Sequence, residues 1–290
     1  MMESIQRSAL YMPANNERAV KKGPSLDADV IILDLEDSVA PALKSDARTA
    51  ARLAITSLDY GHRQRVVRTN GVDSPWFSAD IEMVLQARPD AILLPKIEHA
   101  GTLLQVQQQV DAQAPDSSIA LWAMLETTTA VVNAVAIANA REQCPRLTTF
   151  CIGNNDLAQD AGMRIQSDRT LLIPWLMQLV LAAKSRQLHI LDGVFNDFAN
   201  LDGFTRECEE GAAMGMSGKT LIHPSQISIA NTAFAPTQED IARANAIVNA
   251  FALAENKQAG VLQINGEMVE RLHLTMAMRT LALAKHIKVQ

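Results

Sequence analysis

Eight short apolar runs, each followed by a stretch of helical periodicity, set the strongest limit on what this chain can fold into. The runs cover residues 9–12, 30–35, 65–69, 91–94, 119–125, 147–152, 189–195 and 219–222. Runs apolar throughout suit strands of a parallel sheet buried on both faces. Between them, residues 42–58, 79–87, 100–112, 130–140, 170–186 and 203–214 read as helices. Eight βα units within about 230 residues predict a closed (β/α)8 TIM barrel. An open doubly wound sheet is the rival, but no Gly-x-Gly-x-x-Gly follows the first run and eight strands suit closure.

After Pro236 the pattern changes. Residues 239–256 read as one helix, 260–265 as an extended stretch and 268–286 as a last helix. The division expected is a barrel over 1–235 and a C-terminal helical extension over 236–290, lying on the barrel or on a neighbouring subunit. Met268, Val269, Leu272 and Met276 recur at helical spacing, an apolar stripe that needs cover and so predicts a homo-oligomer.

Composition narrows the partners. The formal charge is −6, from 26 basic and 32 acidic residues, which argues against nucleic acid. Cys144, Cys151 and Cys208 cannot all pair with one another and suggest a reducing cytoplasm. No apolar run has the length of a signal peptide or a membrane span, so a cytoplasmic location without a membrane partner is expected.

In such a barrel, catalytic groups come from the C-terminal ends of the strands. Those ends read Asp34-Leu35-Glu36-Asp37, Arg68-Thr69-Asn70, Pro95-Lys96, Glu126-Thr127, Gly153-Asn154-Asn155-Asp156, Asp192-Gly193 with Asn196-Asp197, and His223-Pro224. Each has a plainer reading. Asp37, Asp156 and Asp197 read equally as helix N-caps, Lys96 as a solvated strand end, and His223 as a turn histidine. Arg68 is harder to set aside, because a buried arginine needs an anion to meet it. Glu126 and Asp156 follow adjacent strands with no soft ligands nearby. That pair suits Mg2+, which takes one or two carboxylates and leaves its other positions to water and substrate oxygens. A metal and an arginine on one rim suit a small oxyacid and can stabilise an enolate, the intermediate of carbon–carbon cleavage beside a carbonyl.

The chain resembles the citrate lyase β-subunit family of the aldolase/citrate lyase superfamily, which acts on coenzyme A esters. The resemblance rests on Arg7–Pro13, Asp34-Leu35-Glu36-Asp37-Ser38-Val39, Arg68-Thr69-Asn70, Leu94-Pro95-Lys96, Glu126-Thr127, Gly153-Asn154-Asn155-Asp156-Leu157, Asp192-Gly193-Val194 and the stretch 215–226. It implies a Mg2+-dependent barrel, trimeric or a dimer of trimers, that cleaves a 3-hydroxyacyl-CoA of the citramalyl, malyl or citryl type into a keto acid and an acyl-CoA. By motif position Glu126 and Asp156 resemble the metal ligands. Arg68 resembles the residue that binds the keto-acid carboxylate, with Glu126 and Lys96 also facing substrate. Glu36 and Asp37 resemble the catalytic acids that order the metal waters and the substrate. Glu270, in Gly266-Glu267-Met268-Val269-Glu270, stands where relatives place an aspartate that reaches a neighbouring subunit's site as acid/base. Ala130 replaces a common glycine, and Asn154-Asn155 is more polar than usual. Arg18 and Lys22, after the first strand, would meet coenzyme A phosphates. The alternatives are an aldolase on free hydroxy-keto acids, a thioesterase on the same metal site, and a non-catalytic or carrier-protein-dependent subunit.

Overall fold

A computed structural model describes residues 5–164 and 168–289. Eight parallel strands close into a barrel in sequence order, with β8 pairing back onto β1. They are β1 Ser8–Pro13, β2 Val30–Asp34, β3 Gln64–Arg68, β4 Ala91–Leu94, β5 Ala120–Leu125, β6 Leu147–Ile152, β7 His189–Asp192 and β8 Gly218–Leu221. Every strand expected from the apolar runs is present.

The α-helices between and after the strands are α1 Glu17–Lys22, α2 Lys44–Ser57, α3 Phe77–Ala87, α4 Ala100–Gln113, α5 Thr128–Val132, α6 Ala134–Asn139, α7 Asn154–Asp160, α8 Ile173–Ser185, α9 Leu201–Ala213 and α10 Ile227–Ala233. The expected helix over 130–140 is therefore two short ones that meet at Asn133, whose side chain donates to the Glu98 carbonyl (3.0 Å). The helices α1, α7 and α10 lie outside the helical stretches read from periodicity.

The strands alternate between two apolar layers. Val30, Ile32, Val66, Ala91, Leu93, Trp122, Met124, Cys151 and Leu191 fill the barrel interior. Ile31, Leu33, Val67, Ile92, Ala123, Phe150 and Ile190 face the helices. Burial of both faces explains why the strands carry no polar alternation. The three cysteines are buried and unpaired. Among the described residues no helix is long and apolar enough to cross a membrane.

The chain divides into two compact units, Gln6–Phe234 and a smaller one that runs from Ala235. The smaller unit differs from the helical tail expected. It holds α11 Gln238–Ala252, then a hairpin of β9 Val261–Ile264 and β10 Glu267–Glu270, then α12 Arg271–Val289. The left-handed residues Asn265 and Gly266 make the tight turn, and Asn-Gly is the dipeptide such a turn favours. Pairing of 267–270 with β9 delays the start of the last helix. Val269 then enters the unit's own core with Ala244, Ile247, Phe251 and Ala277, whereas Met268, Leu272 and Met276 stay outside it.

Candidate active site

Side chains alternate along a strand, so the inward set of each strand can be extended to the barrel rim. After Val30 and Ile32 it reaches Asp34, after Val66 it reaches Arg68, and after Trp122 and Met124 it reaches Glu126. The β2–β3 register sets Asp34 directly opposite Arg68. On β6 the inward position beyond Cys151 is Gly153. A Cβ there would stand 2.5 Å from Glu126 Cβ and 2.6 Å from its Oε2, so only glycine leaves room for the glutamate.

Arg68 is buried, yet it does not lack an anion, as its sequence position suggested. Asp34 takes it in a fork, Nε to Oδ1 and Nη2 to Oδ2, both 2.7 Å. Tyr11 lies under the guanidinium, 4.8 Å from its ring centre. Arg68 Nη1 is left to face Glu36 Oε2 at 3.2 Å and Asp37 Oδ2 at 3.7 Å. Burial alone would raise Asp34, but the hydrogen bonds and charge of Arg68 hold it below the usual carboxylate range. Asp34 also accepts the backbone N–H groups of Glu36 and Ser38, so it shapes the acidic turn as well as the arginine.

That turn is fixed from behind by Lys44, a buried lysine whose Nζ donates to the Leu35 and Glu36 carbonyls at 2.7 Å each and sits 5.1 Å from the Trp76 ring centre. A cavity of about 450 Å³ opens beside it, lined by Glu36, Asp37, Lys44, Trp76 and Lys96 among others.

Two carboxylates here hold protons unusually well. Burial, opposed by Arg68 and reinforced by Asp37 and Glu126, pushes Glu36 up to about 8. Burial and then the charge of Asp156 push Glu126 up to about 7. One Glu126 oxygen accepts the backbone N–H of Lys96 at 2.8 Å. Lys96 adopts a left-handed backbone, φ +54°, which costs a residue with a Cβ about 1–2 kcal/mol and puts this N–H at the site. Its ammonium lies 3.8 Å from Glu36 Oε1. Beside Asp156, Asn154 is buried with Oδ1 unpartnered, packed where a Cβ on Gly193 would collide with it.

Glu36, Asp37, Arg68, Lys96, Glu126 and Asp156 are thus brought together on one rim. Arg18 and Lys22 lie apart on α1, exposed, and Glu270 closes β10 in the smaller unit, where its backbone N–H donates to His273 Nδ1 (2.9 Å). The capping alternatives fail for Asp156, since Gly153 holds the N-cap of α7, and for Asp197, since Asn200 caps α9. His223 is the turn residue expected, its Nδ1 accepting the Ser225 N–H. Asp34, Lys44 and Asn154 were not singled out from the sequence. The only signal for Asp34 was its place at a strand end.

Asp192, another strand-end acid, has the opposite parity and points to the helix layer. Arg169 Nη1 donates to both its oxygens at 2.7 Å and Lys219 Nζ to Oδ2 at 2.8 Å. Glu207 and Glu210 complete the network.

A parallel barrel with an acid-rich, arginine-bearing C-terminal rim defines an α/β-barrel enzyme that handles a small anionic substrate. Residues 7–224 match the HpcH/HpaI aldolase/citrate lyase model, and the chain belongs to that family. It is an enzyme of the citrate lyase-like carbon–carbon lyases. It is 44% identical to a (3S)-malyl-CoA thioesterase of Cereibacter sphaeroides, over 97% of this chain and 95% of that one. It is 33% identical to the citrate lyase subunit beta of Leuconostoc mesenteroides subsp. cremoris, over 97% and 94%. Its fold is similar to that of CitE from Mycobacterium tuberculosis, solved with magnesium, acetoacetate and coenzyme A, with a TM-score of 0.77, 27% identity and coverage of 98% and 100%.

Proposed function

We propose that this chain cleaves the coenzyme A thioester of a 3-hydroxy acid, of the malyl, citramalyl or citryl kind, into a keto acid and a shorter acyl-CoA, with Mg2+ held by Glu126 and Asp156. The observation that carries this reading is Glu126, buried on the rim within reach of the charge of Asp156 and accepting the Lys96 N–H. A buried carboxylate whose proton affinity is raised by burial and by the charge of a second acid, with a glycine clearing the space beside it, is suited to a hard cation. Among the described residues no group of three or more His, Cys, Asp or Glu side chains is placed to hold a metal, so water and substrate would complete the shell. Bound there, Mg2+ would polarise a substrate oxygen.

Arg68, with its fork closed by Asp34, offers Nη1 to one oxygen of the keto-acid carboxylate. Glu36, protonated over much of the neutral range, can donate beside it instead of repelling it. Asp37 and Lys96 flank that position. Arg18 and Lys22 would meet the coenzyme's phosphates. Glu270 would exchange the proton at the thioester's α-carbon from a neighbouring subunit of a trimer or hexamer. Support for the assembly comes from Met268, Leu272 and Met276, which the smaller unit's own core leaves out. Three unpaired cysteines support a cytoplasmic location.

A second reading, hydrolysis of the same thioester, is favoured by the 44% identity to the thioesterase. Malyl-CoA and citramalyl-CoA turnover, followed at once for free thiol and for keto acid, separates the two. Keto acid without thiol supports cleavage, and thiol without keto acid supports hydrolysis. Glu270→Ala is expected to slow turnover about 10²-fold. Mixing it with Asp156→Ala subunits restores part of the activity if the group acts in trans, and a fully active Glu270→Ala enzyme removes it from the mechanism.

A further inference from the structure

We propose that the cavity bounded by the loops after β2, β3 and β4 is a selectivity pocket for the substituent on the substrate's carbinol carbon, and that it takes an alkyl chain longer than methyl. The inference rests on the thioester reading above and narrows its substrate class. In that reaction the bond between the carbinol carbon and the thioester's α-carbon breaks. The hydroxyl loses its proton and the α-carbon gains one. The carbinol carbon leaves as the carbonyl of the keto acid, still carrying its carboxylate and its substituent. With the carboxylate on Arg68, the substituent must lie beside it.

The cavity adjoins that place. Glu36 and Lys96 line it, and the same Glu36 has Oε2 at 3.2 Å from Arg68 Nη1 and Oε1 at 3.8 Å from the Lys96 ammonium. Arg18 and Lys22, by contrast, follow β1. The volume of about 450 Å³ falls within the range of about 300–1,000 Å³ of small-molecule sites, far more than a hydrogen or one methyl group fills. Its walls are set from behind. Asp80, fully buried, accepts the Asn70 backbone N–H (2.8 Å) and its side-chain amide (2.6 Å), and the Ser74 N–H donates to the Gly71 carbonyl (2.9 Å). Across from them, Lys44 holds the acidic turn and sits against Trp76.

The lining decides what kind of substituent fits. Val39, Pro41, Val72, Trp76 and Pro95 supply apolar surface. The cations in the lining are committed, Lys44 to two carbonyls and an aromatic ring, Lys96 to Glu36. Asp37 and Asp73 line the cavity as exposed acids, which would repel a second carboxylate. A carboxymethyl group would therefore enter as an anion short of a partner, whereas an alkyl chain gains burial at no such cost.

Calorimetric titration of the Mg2+-loaded protein with pyruvate, 2-oxobutyrate, 2-oxovalerate and oxaloacetate tests this. Each methylene added to pyruvate is expected to tighten binding about fourfold, the scale of one buried CH2 group, and oxaloacetate should bind more weakly than 2-oxobutyrate. Val72→Trp fills the cavity and should abolish the gain, so that the longer acids bind no better than pyruvate. Wild-type protein that binds 2-oxovalerate more weakly than pyruvate overturns the proposal, and so does a preference for oxaloacetate over 2-oxobutyrate. A gain that survives in a folded Val72→Trp protein would place the chain elsewhere and overturn it as well. If wild type binds none of the four acids in the presence of Mg2+, the lyase reading itself fails, and the pocket with it.

Discussion

The rim around Glu126 and the network around Asp192 are made of the same side chains, yet one is complete and the other is not. In the network each oxygen of Asp192 has strong donors: Oδ1 meets Arg169 and the Gly193 N–H, and Oδ2 meets Arg169 and Lys219. Burial alone would raise this carboxyl, but the charges of Lys219 and Arg169 outweigh it and hold the group below its usual range. On the rim, Arg68 spends its fork on Asp34, and Glu36 and Glu126 are left with protons they hold too tightly. A closed network of this kind specifies a shape. An acid cluster short of positive charge invites a ligand to complete it.

The contrast can be broken at either end. Asp156→Ala should abolish Mg2+ binding by calorimetry and lower turnover by about 10³-fold, on the scale of losing a main electrostatic element of a site, with little effect on thermal stability. Unchanged metal binding would remove the pair from the site. Lys219→Met strips a charge from the closed network and should cost about 3–5 kcal/mol in denaturant unfolding, as for other broken buried pairs. A stability loss under 1 kcal/mol would show that the network is dispensable. Arg68→Lys cannot reproduce the fork to Asp34 and should lose about 2–4 kcal/mol in kcat/KM, and near-native turnover would rule out its role.

The smallest effect concerns pH. Folding raises Glu126 from 4.5 to about 7, through burial and Asp156, so the metal-free folded form binds its proton more tightly than the unfolded chain. Without metal, the contribution of Glu126 to stability should therefore fall as pH rises through that window and level off above it. Mg2+ competes with the proton, so it should raise Tm little at pH 5 and by on the order of a few degrees at pH 8. Equal increments at the two values would contradict the assignment. Asp192 behaves oppositely. Its contribution is present above the ordinary aspartate range and is lost only as pH falls through its lowered value.

The barrel was legible because strands buried on both faces leave uninterrupted apolar runs, as at Ala91–Leu94 and Ala120–Leu125. The rim acids were legible because strand ends are where such barrels place their chemistry. Three things were not. Asp34 is one of three acids within four residues, and only the β2–β3 register singles it out as the partner of Arg68. Lys44 opens α2, where a lysine reads as solvated; its burial follows from carbonyls brought back by the acidic turn. The hairpin before α12 was hidden because Met268, Val269, Leu272 and Met276 also fit a helix, and the turn at Asn265-Gly266 decides against it.

The crowding at Gly153 offers a diagnostic for other chains built on this barrel. Since even one methyl group there would press on Glu126 Cβ and Oε2 and come within 3.0 Å of Met124 Cε, the working site depends on an atom that is absent. A related sequence that keeps both carboxylates but carries any side chain at this position should be a silent scaffold, its glutamate displaced, however intact its other motifs look. One such chain found with its glutamate in the same place and its turnover undiminished would show that the barrel can yield where this one is full.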